Sequence, residues 1–280
     1  MAVSFETIRE WPVKEARAAI RTGAYTRHTA GLAPGRLQAN LVVLPEVYAQ
    51  DFKHFCALNP RPCPVVGMTE PSDPLFRSLG EDIDLRTDLP GYNIYRHGAL
   101  DAVVTDLSKH WEEGLVGFAL GCSFTFEAAL IDAGIPLWHI ANDTTVPMYR
   151  TSLPLAPAGP FQGTMVVSMR AIEESQVDRV RKICAQFPWA HGAPVHVGDP
   201  AEIGITTLDT PDWGDPAPIG PGQIPCFWAC GVTPQDVVLR AKLPFVITHR
   251  PGHMLVTDID QDVDTRPDLK LSKSTSQQGD

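Results

Sequence analysis

Short apolar runs alternate with capped helices along the second half of this chain, and no other feature limits the fold as much. Residues 165–169, 195–197, 245–248 and 254–257 are too short for helices and read as strands buried on both faces. Between them, Ser175 with Asp178 caps a helix carrying Val177, Val180, Ile183 and Cys184. Thr233-Pro234-Gln235-Asp236 opens another, carrying Val237, Val238 and Ala241, and Pro244 ends it. Nearer the start, the Ala-rich run after Pro12 and residues 46–58 read as helices, while 64–69, 93–95 and 102–105 read as strands. The pattern implies an α/β protein with a mixed sheet and helices. Residues 1–263 are expected to form one catalytic unit of two interleaved subdomains. Residues 264–280, polar and poor in large apolar side chains, read as a disordered tail. The Pro-rich stretches 153–163 and 206–225 suit a lid or wall of a site better than a linker. No internal repeat stands out.

Composition narrows the partners. A formal net charge of −10 sets up a repulsive far field against nucleic acid and anionic membrane alike, and the expected partner is a small carboxylate. No basic stretch leading into an apolar core opens the chain, and no apolar run spans a membrane, so the expected location is the cytoplasm. The six cysteines form no Cys-x-x-Cys pair and read as reduced, mostly buried thiols. A homodimer is the default assembly for an enzyme of this size.

Chemically capable side chains gather in a few Gly- and Pro-flanked stretches, where sharp turns can aim polar groups inward. In the first, Gly121-Cys122-Ser123 turns into a helix that continues through Thr125 and Glu127, so its free N–H groups can seat a carboxylate or simply be capped by Ser123. Glu127, flanked by Phe124 and Phe126, is a candidate general acid or base with a raised pKa, the alternative being a solvent-facing helix-start glutamate. His191, His196 and Asp199 share a second stretch, in which the aspartate could orient an imidazole or only cap a turn. His249 and His253 share a third; Pro251 and Gly252 between them exclude a regular helix, which weakens a metal reading without closing it. Arg150 and Arg170 are candidates to clamp substrate carboxylates. No cofactor motif is evident, and a divalent metal stays open.

These stretches carry a resemblance. Residues 121–127, Val146-Pro147-Met148-Tyr149-Arg150-Thr151, 167–170, 191–200, 227–235 and 247–258, in that order, resemble the D-glutamate cyclase family, whose bacterial members are named as hydro-lyases. The likeness spans about residues 15–262. Thr125 stands where serine is frequent, Ala171 where proline commonly follows the arginine, and Arg250 at a variable position. The resemblance implies an α/β fold of two subdomains and closure of D-glutamate to 5-oxo-D-proline with loss of water. It implies carboxylate anchors at Arg150, Arg170, Cys122, Ser123, Thr125 and His253, and proton transfer by Glu127, His249, His196, His191 or Asp199. The alternatives are a metal-dependent lyase or hydrolase and a non-catalytic carboxylate-binding module.

Overall fold

The structure, a computed structural model, describes residues 2–142, 144–264 and 266. Helices α1 (Phe5–Ile8) and α2 (Val13–Arg21) precede β1 (Arg36–Pro45), α3 (Glu46–Leu58), β2 (Val65–Met68), β3 (Tyr92–Arg96) and β4 (Ala99–Val104). Then come β5 (Leu115–Gly121), α4 (Phe124–Asp132), α5 (Trp138–Ala141), β6 (Met148–Pro154), β7 (Thr164–Glu173) and α6 (Val177–Cys184). The last elements are β8 (His196–Val197), β9 (Gln223–Ala229), α7 (Val232–Arg240), β10 (Val246–His249) and β11 (Leu255–Asp260). The expected disorder of residues 264–280 falls, Asp264 and Arg266 apart, outside the described residues.

The strands make two sheets, so the chain is α/β in two parts. A seven-stranded sheet has the order β2-β5-β1-β10-β3-β4 with β11 also on β1, and a four-stranded sheet has the order β6-β7-β9-β8. Each pairing is antiparallel. The centre of the large sheet is β1, which the sequence reading passed over because Gln38 and Asn40 interrupt its apolar run. Both amide nitrogens find partners inside: Gln38 Nε2 donates to the carbonyls of Thr29 (2.9 Å) and Leu32 (3.1 Å), and Asn40 Nδ2 to those of Gly121 (3.0 Å) and Leu120 (3.4 Å), while Gln38 Oε1 is buried without a partner. Strands β5, β6 and β9 were also not anticipated. The last of these begins inside the stretch read as a loop.

One face of β1 (Leu37, Ala39, Leu41, Val43) joins a core that runs through Phe126 and Leu130 of α4 to Ile172, Cys226 and Trp228 of the small sheet. The other face (Val42, Leu44) packs with Phe52 and Phe55 of α3 and Val237 and Val238 of α7. A third cluster, Tyr149, Val167, Met169, Ile203, Ile205 and Phe227, covers the far side of the small sheet. Helix α2 is tied down by Arg17, which is fully buried and bonds Asp82 and Asp258 at 2.6 Å each. Alternation along β7 therefore sends Ser168, Arg170 and Ile172 toward α4, and Val167 and Met169 away from it.

Candidate active site

At the end of β5 the chain turns through Cys122 and Ser123 into α4. Gly121 is required there, because a Cβ at this position would lie 1.6 Å from the carbonyl oxygen of Trp189. Ser123 does not cap the helix; it accepts a hydrogen bond from Arg170 Nη2 at 3.3 Å. One turn on, Glu127 is buried and meets Arg170 from β7. Arg170 Nε donates to Glu127 Oε1 at 3.0 Å, Nη2 bonds the same oxygen, and Nη1 donates to Ser168 Oγ at 2.9 Å. The guanidinium lies over the rings of Phe126 (5.1 Å) and Trp228 (5.0 Å). His139, from α5, places Nε2 3.2 Å from the same Oε1. Oε2 of Glu127 has no partner among the described residues.

The raised pKa expected for Glu127 is not what this geometry produces. Burial does oppose its charge, but Arg170 and His139 more than offset that, and the carboxyl sits at about 2. Glu127 is a fixed anion. Of the two rings that suggested an apolar setting, Phe126 lies against the arginine instead.

His249 closes the other side. Its ring, 2% exposed, accepts the Leu41 N–H on Nδ1 at 3.1 Å, and burial drives its pKa down to about 4. The neutral ring therefore carries its proton on Nε2. Gln235 of α7 sets its amide nitrogen 3.3 Å from Nδ1 and 3.1 Å from Nε2. Near-equal distances to the two ring nitrogens put that amide over the ring face, so the Nε2–H edge keeps no in-plane partner among the described residues. His191 has the opposite tautomer. Its Nδ1 lies 2.8 Å from the Arg61 carbonyl, to which only an N–H can bond, which leaves Nε2 bare. Burial first, and the fields of Arg170 and Arg61 next, hold it at about 4.

Asn40 links the two sides. Its Nδ2 bonds Gly121 O, and a Cβ on Gly231 would fall 2.4 Å from the same nitrogen. The turn before α4 and the turn before α7 thus abut through one amide. Ser123 and Cys230 remain partly exposed at those turns.

Other candidates sit elsewhere. His196 pairs with Phe227 on the far face of the small sheet, its ring 5.7 Å from that of Phe227, and so turns away from Arg170. Asp199 orients no imidazole: its carboxylate accepts the Ala201 N–H at 2.9 Å, while His196 Nε2 bonds its backbone carbonyl at 2.8 Å. Arg150 is engaged by Asp212 (2.7 Å) and Asp236 (2.9 Å) and stacked on Trp213, so it offers no free fork to a substrate. His253 donates from Nδ1 to the Pro251 carbonyl at 2.8 Å and abuts Gly91. Thr125 is buried with an unpartnered hydroxyl. Burial raises the Cys122 thiol to about 12, so it is no thiolate. The donor set does not suit a metal: among the described residues no three His, Cys, Asp or Glu side chains converge for one, and Nδ1 of both His249 and His253 is already engaged. No helix among them is long and apolar enough to cross a membrane. His139, Asn40 and Gln235 escaped the search for site residues. Gln235 and Ser168 lie in stretches that the sequence singled out; His139 and Asn40 gave no signal in one chain read alone.

The D-glutamate cyclase family profile matches residues 116–258, the span that carries Ser123, Glu127, Arg170, Gln235 and His249. A protein from Dinoroseobacter shibae, provisionally named a hydro-lyase, is 54% identical over 98% of this chain and 92% of its own. One of the same provisional name from Ruegeria pomeroyi is 55% identical over 94% of this chain and 96% of its own. A nitrogen repressor-like protein from Methanococcus jannaschii aligns with 84% of the chain at 8% identity, and its TM-score of 0.36 carries no argument. By the family profile and by relatives matched along nearly its whole length, this chain belongs to the D-glutamate cyclase family.

Proposed function

We propose that the protein removes water from a small acid, and that the substrate its site suits best is D-glutamate, closed to 5-oxo-D-proline. The observation that carries this reading is Glu127, ionised and clamped through Oε1 by Arg170 and His139 while Oε2 stays free. A fixed carboxylate with one open oxygen suits a substrate ammonium group, and the Ser123 turn beside Arg170 suits a carboxylate. Held there, the amine nitrogen attacks the side-chain carboxyl carbon, the C–N bond forms and a C–O bond breaks. Two protons leave nitrogen and two arrive on the departing oxygen, so the protein need only relay them. Glu127 is too weak a base for that relay. His191, with Nε2 bare, can take protons from the amine and pass them on, while the neutral His249 can donate a hydrogen bond from Nε2–H to the departing oxygen. Placing nitrogen and carbon together supplies a further large share of the acceleration.

The test is incubation of the purified protein with D-glutamate and, separately, L-glutamate, following primary amine and the loss of one water by mass. Turnover of the D-isomer, reduced roughly 100-fold in Glu127→Gln, is expected. No loss of amine from either isomer would remove the cyclisation.

A further inference from the structure

The two sheets repeat one another. The order β8-β9-β7-β6 of the small sheet matches β2-β5-β1-β11 within the large one, with every pairing antiparallel in both. Registers coincide as well. Ala39 faces Gly121 as Val167 faces Ala229, Asn40 faces Leu120 as Ser168 faces Trp228, and Gly67 faces Ala119 as His196 faces Phe227. Bonds outside the ladders recur at matching places. Thr151 Oγ1 donates to Met165 O at 2.6 Å, and Thr257 Oγ1 to Leu37 O at 2.8 Å. The Thr69 N–H bonds Gly117 O at 2.9 Å, and the Gly198 N–H bonds Pro225 O at 3.0 Å. Once aligned this way the sequence follows, with Cys56 over Cys184, Cys122 over Cys230, Thr125 over Thr233, Met148 over Met254, and Glu70-Pro71 over Asp199-Pro200.

Each unit also lends its last strand to the other's sheet, β6 to β7 and β11 to β1, which is the reciprocity of a twofold interface. The turns before α4 and α7 are equivalent and meet at Asn40, so the site lies on the axis between units. Glu127 then corresponds to Gln235, and Ser168 to Asn40.

We propose that the chain is an internal duplication and that its site is two-ended: a small dicarboxylate lies across the axis, with one carboxylate held by Gln235 and His249 Nε2–H, while Asn40, whose Nδ2 bonds the Leu120 and Gly121 carbonyls, joins the two turns. This deepens the function proposed above and rests on it for the substrate class. The unpartnered, buried Nε2–H edge of His249 is the observation that calls for a ligand at this end. Gln235 is a neutral donor, which binds a carboxylate without titrating.

Calorimetric titration of the whole protein with glutarate, which has two carboxylates and no amine, and with butyrate, which has one, tests this. Glutarate is expected to bind at least about tenfold more tightly, and Gln235→Ala and Gln235→Glu are each expected to remove roughly that factor, as loss of a hydrogen bond to a charged group does. Gln235→Glu keeps the side chain's shape, so it decides the matter if Gln235→Ala fails to fold. Neither variant should change butyrate affinity much, whereas a general loss of structure would lower both affinities together. Equal affinity for the two acids, no binding of glutarate, or folded variants with undiminished glutarate affinity would overturn the two-ended site. Glutarate binding with these losses, but no turnover of D-glutamate, would leave the site standing and remove the cyclisation alone.

Discussion

Two equivalent helix starts, built on one plan, have opposite electrostatics. At α4 the pair Glu127–Arg170 is buried with both charges retained, and stacking on Phe126 and Trp228 completes the arginine's shell. At α7 the same position holds Gln235, the position equivalent to Arg170 on β1 is Val42, and the polar partner is a neutral histidine. Identical backbone thus supports a charged end and an uncharged one. The lesson is that duplication conserves ladders and turns, which the backbone sets, while the side chains on the axis diverge because each meets a different end of an asymmetric ligand.

The sharpest break in this comparison is at the charged end. Arg170→Met leaves Glu127 buried against His139 alone and should destabilise the fold by about 3–5 kcal/mol in urea unfolding, with activity lost. The double variant Arg170→Met/Glu127→Gln, which removes both charges, should recover much of that stability but none of the activity. A double variant no more stable than the single one would mean that the arginine acts mainly through packing.

Acid should strike both ends through their histidines. His191 and His249 have folded pKa values of about 4, below the ordinary 6.5. Below 6.5 the unfolded chain takes up protons that the folded rings refuse. Their contribution is therefore complete above about pH 6.5 and is lost progressively as pH falls toward 4, by up to ~3 kcal/mol per ring. Glu127 adds its own loss only lower, between about pH 4.5 and 2. Unfolding free energies at pH 7 and pH 5 measure the first window, and His249→Asn should narrow the difference. An unchanged difference would place the acid sensitivity elsewhere.

The smallest effect concerns what the two units share. Thr151→Val and Thr257→Val each remove two matched hydrogen bonds, those donated to Met165 O and Leu37 O and those accepted from the Leu153 and Ile259 N–H, and each should cost about 1–2 kcal/mol. Similar losses, with catalysis untouched, would sharpen the view that the units are equivalent away from the axis. A loss confined to one threonine would show that the equivalence stops at geometry.

Much of the local structure was legible in the sequence. Helices α3, α6 and α7 and the apolar strands β7 and β10 follow from spacing within a few residues, although the caps expected from Ser175 and Thr233 do not form: α6 and α7 are preceded by Gln176 and Gly231, which make no side-chain cap. The Gly121 turn was visible in the same way, and the stretches holding Glu127, Arg170 and His249 stood out beside it. The pKa of Glu127 was not, since its sign depends on an arginine 43 residues away along the chain. Nor was the repeat: insertions of different length between matching strands scramble the spacing, and only strand register restores the alignment.

Sequence alone determined the α/β character, the turns and the supply of carboxylates, imidazoles and guanidinium groups, because periodicity and glycine tolerance act over a few residues. Tertiary structure decided which of those groups face one another, which are charged and that two halves are one motif. Those outcomes rest on burial and on pairing between distant segments, and neither leaves a mark at short range.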